Sequence, residues 1–136
     1  MPRLWGDRAE TGSGVIELAL VLPLIALLVM GIIDLGRGAW TRHSLEDAVS
    51  DVVRYASFSG SSTPQPSTEK SLEAWIESRR PHFDPDALNL VANWSPDNQP
   101  GSEVTVVLTY DFDPLIPLVP MGTFVLHAGA SRIISY

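Results

Sequence analysis

A chain of 136 residues with a formal net charge of −7 and no cysteine has room for one domain plus accessory segments. The missing cysteines exclude a disulfide framework and a thiolate zinc site, and the acidic balance argues against nucleic acid as a partner. The nine Lys and Arg residues are scattered, and their adjacent pair, Arg79–Arg80, reads as a solvated helix end.

Residues 1–12 form a short tail of mixed charge, with Arg3 and Arg8 set against Asp7 and Glu10. Thr11-Gly12-Ser13-Gly14 closes it as a flexible spot that a protease can hold extended. From Leu18 to Ile33 every residue is uncharged and most are large and apolar. At about 1.5 Å per residue this run covers ~24 Å, and extension back to Ser13 gives ~31 Å, enough to cross the hydrocarbon of a bilayer. The longer span contains Glu17, whose carboxylate costs on the order of 2.5–3.5 kcal/mol at a bilayer centre and less near an interface. Glu17 therefore belongs near one end of the span or beside a partner.

Three readings of the run compete. A secretory signal peptide is shorter and leaves through an Ala-x-Ala-like site, whereas this run leaves through Asp34-Leu-Gly-Arg-Gly. A buried soluble helix is normally amphipathic, and this one is apolar all round. A membrane span over 13–36 fits best, and it tolerates Pro23 where an exposed soluble helix does not. Arginines flank the span on both sides, so the loop-charge rule leaves orientation undecided. The acidity of the larger part places it outside the cytoplasm.

Beyond the span, Leu45, Ala48, Val49, Val52, Val53 and Ala56 recur at helical spacing among charged residues. One helix from about Val15 to Phe58 is the expectation, with 37–58 as its amphipathic continuation and Gly36 and Gly38 as interruptions that permit a bend. Asp34 and Arg37, three apart, form a solvated membrane-exit collar. Residues 59–68 read as a linker, rich in Ser, Gly and Pro. A small α+β domain over 69–136 follows. Within it a helix from about Glu69 to Arg79 carries Leu72, Trp75 and Ile76 on one face and is stopped by Pro81. Leu88, Leu90, Ala92 and Trp94 mark the inner face of one strand. Val104, Val106, Leu108, Tyr110 and Phe112 mark that of a second. Pro114 to Pro120 cannot be a central strand, and Thr123 to Tyr136 reads as a last strand with a bulge at Gly129. The fold class is thus a long helix, a short helix and about three antiparallel strands.

Catalytic chemistry is not found in this pattern. His43, His82 and His127 stand apart from carboxylates or a second histidine at ligand spacing. Asp111 and Asp113 flank Phe112 as an acid pair would, yet nothing converges on them; the bland reading is solvated strand-end carboxylates. Phosphate-cradling glycine loops and a nucleophile elbow are absent. The expectation is a non-enzyme without metal or cofactor.

Gly12, four mostly neutral residues, Glu17 and a long apolar helix together resemble the processing site of type IV pilin-like proteins. More closely, Gly14-Val-Ile-Glu-Leu-Ala-Leu-Val-Leu-Pro23, then Gly31-Ile-Ile-Asp-Leu-Gly-Arg37, then Ala48–Ala56 with Arg54, resemble the TadE/TadG-like pseudopilins of tight-adherence (Flp) pilus systems. Leu18 stands where an aromatic is common in that family. The resemblance implies a pilin-like fold and a prepilin peptidase that cuts between Gly12 and Ser13. It also implies assembly partners: other pilin subunits and the inner-membrane pilus-assembly platform proteins. Glycine leaves a scissile peptide unobstructed, and on stacking Glu17 would neutralise the new Ser13 amine of a neighbouring subunit. Asp34, Gly36 and Arg37 would be the membrane-exit motif. The rival reading is an uncut single-span envelope scaffold.

Overall fold

A computed structural model describes residues 7–115 and 123–135. Its elements are α1 (Asp7–Phe58), α2 (Glu69–Arg79), β1 (Leu88–Ser95), β2 (Glu103–Phe112) and β3 (Phe124–Ile133). This is the expected α+β class.

Helix α1 runs 52 residues and starts well before the expected Val15. Helix growth adds a hydrogen bond for each residue fixed, so a long helix extends readily into a flank that contains good formers such as Arg8, Ala9 and Glu10. The anticipated interruptions at Gly36 and Gly38 do not occur; the helix is assigned unbroken through both, and through Pro23. Its two halves live in different surroundings. Fifteen large apolar side chains between Val15 and Leu35 are exposed. In the second half Leu45, Ala48, Val49, Val52, Val53 and Ala56 are all at most 4% exposed. Their alternating steps of three and one keep them on one face of a 3.6-residue helix.

That face lies on a three-stranded antiparallel sheet of order β1-β2-β3. Period-two alternation sends Leu90 and Ala92 of β1, and Val104, Val106, Leu108 and Phe112 of β2, into the core. Val91 and Val107 face outward on the opposite side of the pleat. Register is regular along both ladders, with Leu90 opposite Leu108 and Val106 opposite Ala130. Gly129 is not a bulge: it pairs in register with Val107. A side chain there would meet only ordinary contacts, 3.7 Å from Val107 and 3.8 Å from the Val106 carbonyl. Nothing in the ladder requires an extra residue. The last strand is also shorter than expected, ending at Ile133, after which Ile134 turns into the core and the Ser135 N–H donates to the Ser57 carbonyl at 2.9 Å.

Helix α2 has the expected limits. Thr68 caps it reciprocally with Ser71: the Ser71 N–H donates to Thr68 Oγ1 at 3.3 Å, and the Thr68 N–H to Ser71 Oγ at 2.9 Å. Leu72 and Ile76 enter the core. Trp75 stacks on Tyr55 of α1, ring centroids 5.5 Å apart. The Arg79–Arg80 pair is not a merely solvated end. Arg80 donates to Asp51 of α1 at 2.7 Å, and the Arg79 guanidinium lies 5.1 Å over Trp75. At the outer edge of β1, the Ala92 N–H donates to the Glu69 carboxylate at 3.0 Å, which blunts that edge against pairing with another strand.

The segment read as a linker is folded back on itself. Ser67 N–H donates to the Ser59 carbonyl and Ser61 N–H to the Asn98 carbonyl, both at 2.7 Å, so it is stitched to the β1–β2 turn. Low-complexity composition registers local backbone freedom and is blind to such a long-range tie. The stripe on the second half of α1 forms one wall of the core cluster found among the described residues. Residues 1–6, 116–120 and 136, about which the sequence raised expectations, lie outside the described residues.

Candidate assembly and membrane-exit sites on the first helix

Gly12, Ser13 and Glu17 all lie on the exposed first half of α1. Ser13 and Glu17, four residues apart, share one helix face about one turn from each other. The stretch Thr11–Gly14, read as flexible enough for a protease to hold extended, lies within the helix. The two glycines cost this turn about 1 kcal/mol each relative to alanine, and the continuous helix beyond outweighs that. Among the described residues none donates to the Glu17 carboxylate. Its chain neighbours Val15, Ile16, Leu18 and Leu20 are all exposed.

The apolar half is membrane-like by length and composition. Mean hydropathy reaches 2.7 over an 18-residue window, and none of that window is buried. Leaving a Val, Leu or Ile side chain in water rather than burying it forgoes roughly 1.5–3 kcal/mol, so fifteen such side chains amount to some tens of kcal/mol. A folded domain's whole margin is only about 5–15 kcal/mol. Water is the wrong solvent for this helix.

At the end of the apolar run, Asp34 and Arg37 do pair, with Arg37 Nη1 donating to Asp34 Oδ1 at 3.0 Å. The solvated collar, however, is not what forms. The Asp34 side chain is only 12% exposed, and its Oδ1 also accepts the Leu115 backbone N–H at 3.0 Å. The Arg37 guanidinium sits 5.3 Å over the Phe112 ring, a cation–π contact. One helical turn thus clasps the end of the sheet nearest the apolar run. Gly38 faces Phe112, its Cβ position 3.8 Å from the ring. Gly36 faces open space, where a side chain would meet nothing within 4 Å, so this fold does not itself require glycine there. The sequence did not single out Phe112 or Leu115 as partners of the collar. The available signal was Phe112's place as the last inward residue of the β2 alternation.

The remaining candidates scatter. Asp111 and Asp113 are exposed, and no group of three His, Cys, Asp or Glu side chains suited to a metal occurs among the described residues. His82 lies between Trp40, at 5.2 Å, and Phe83, at 4.4 Å. His43 is less isolated than expected: its Nδ1 is 3.5 Å from Glu46 Oε2, one turn along the helix, which also carries Arg42 at 3.2 Å from Glu46 Oε1. His127 is exposed on β3.

No curated protein and no solved structure matches the chain. The family model described as TadE-like protein does match, over residues 12–54. That stretch holds Gly12, Ser13, Glu17, the apolar run, the Asp34–Arg37 clasp and most of the buried stripe. From Gly12 to Arg54, this first helix is thus similar to that of TadE-like proteins.

Proposed function

We propose that the chain is a minor pilin or pseudopilin that takes part in assembling a tight-adherence (Flp-type) pilus or a related secretion apparatus, and that its role is structural. The observation that carries this reading is the division of α1. Its stretch from Ser13 to Ile33 is uncovered and apolar with a single carboxylate, Glu17, near its start; its second half is the wall of a small folded domain. Such a helix stores the subunit in the inner membrane and then exchanges lipid for neighbouring helices, while the acidic domain stays on the extracytoplasmic side. Cutting between Gly12 and Ser13 by a prepilin peptidase would give each subunit an amine able to meet the Glu17 carboxylate of the next. That pairing relieves the cost of holding either charge in an apolar bundle. Other pilin subunits and the inner-membrane assembly platform are the partners this reading names.

A second reading, an uncut single-span envelope scaffold, draws support from the helical conformation of Gly12 and Ser13, since a peptidase must first unwind that turn. Intact-mass measurement on membrane fractions separates the two: loss of Met1–Gly12 supports the pilin, and retention supports the scaffold. Gly12→Ala is expected to slow processing and Glu17→Ala to leave processing intact while impairing assembly. Normal processing and assembly in both variants would refute the pilin reading.

A further inference from the structure

The uncovered apolar surface does not stop where the helix leaves the apolar run. Leu35, on α1, is 76% exposed; Leu115, just beyond β2, is 68% exposed; Phe124 and Val125, opening β3, are 47% and 51% exposed. Between the helix and this end of the sheet runs a groove of about 520 Å³, its wall formed by Gly31, Leu35, Gly38, Phe112, Pro114 and Phe124. Its lower end, at Gly31, lies inside the apolar run itself.

The clasp fixes the depth of this surface. The Leu115 N–H is held on Asp34 Oδ1, and Asp34 is one residue, about 1.5 Å of rise, past Ile33. The polar interface of a bilayer is roughly 5–7 Å thick on each side of the hydrocarbon. Leu115 therefore stands at the hydrocarbon boundary whenever the apolar run spans. We infer that this end of the domain is seated in the bilayer rather than held above it, with the groove occupied by an acyl chain of a phospholipid from the same leaflet. Continuity with the spanning surface selects that occupant. Arg42 also lines the groove, its Nε donating to Glu46 one turn further along the helix. Asp84, Asp111 and Asp113 line a second hollow, with Arg37, Trp40 and His82, that shares Phe112 with the groove. Seating the groove side while the acidic hollow stays in water tilts the domain toward β3.

The inference rests on the membrane-span reading, and the test keeps the two apart. With no native cysteine, single-cysteine variants of the full chain take one fluorescent label each. Labels at Leu115→Cys, Phe124→Cys, Val21→Cys (within the span) and Val91→Cys (on the outer sheet face) are compared in phosphatidylglycerol–phosphatidylcholine vesicles with acyl chains brominated to quench fluorescence. Labels at Leu115 and Phe124 are expected to lose most of their emission, as Val21 does, while Val91 keeps its own. Quenching at Val21 with Leu115 and Phe124 as bright as Val91 overturns the seated domain and leaves the anchor standing. An unquenched Val21 overturns the span, and the inference with it. Labels at Leu115 and Phe124 shielded from both bromolipid and aqueous iodide would show that protein covers the groove, which also overturns the proposal.

Discussion

Leu24 and Leu45 are the same residue on the same helix, yet their truncation should have unrelated consequences. Leu24 is 67% exposed and Leu45 is 0% exposed, within the stripe that meets the sheet. Leu45→Ala removes buried methyl groups and leaves a cavity that the neighbouring Val49 and the sheet only partly close, a loss of ~2–5 kcal/mol. For a domain of this size each kcal/mol lowers the melting temperature by roughly 4–8 °C, so a fall of about 8–40 °C follows. Leu24→Ala removes no domain contact, and its melting temperature should stay within about 2 °C of the parent, as substitutions outside the core do. Near-UV circular dichroism in one detergent is the assay, because the stacked Tyr55–Trp75 pair reports core packing and ignores helix held in the micelle. Equal shifts from the two substitutions, or no shift from Leu45→Ala, would refute the claim that one helix is divided between solvent-like lipid and core.

Three further outcomes are expected. Asp34→Ala should raise hydrogen exchange of the Leu115 amide by roughly 10- to 100-fold, corresponding to loss of a charge-assisted bond of about 1.5–3 kcal/mol; unchanged exchange, measured by NMR in micelles, would mean that the clasp is not formed. Thr68→Ala should cost about 1 kcal/mol in chemical denaturation through loss of the α2 cap, and Thr68→Ser should restore most of it. An Arg80→Ala/Asp51→Ala double-mutant cycle should give a coupling of only about 0.2–1 kcal/mol, weakening as salt rises, because the Asp51 side chain is 52% exposed.

The parts of this fold legible in the sequence are those with a short period or a local stop. Alternation from Val104 to Phe112 has one buried face, so a slip of one residue would expose the whole set. Helix α2 is bracketed by a Thr68 cap and a Pro81 stop, both local signals. What escaped depends on contacts distant in sequence. Asp34 and Leu115 are 81 residues apart, and nothing near either marks the other. Asp34 beside Arg37 looks like an ordinary surface pair until the sheet end arrives above it. The Ser-rich stretch is ordered by Asn98, from a turn more than thirty residues on. The start of α1 escaped for the opposite reason: Gly12 and Gly14 are read locally as breakers, while a helix already formed passes over them.

Because α1 is continuous from anchor to core, the sheet is phased to the anchor like a cam on a shaft. Inserting one residue between Asp34 and Thr41 would turn the domain by about 100° around the helix axis and raise it by about 1.5 Å. The face it presents relative to the apolar half of the helix would change, though no surface residue had been replaced. Compensated insertions of a full turn, three or four residues long, should be tolerated far better than single ones. Length in this short stretch is therefore expected to be under tighter constraint than its amino-acid identities.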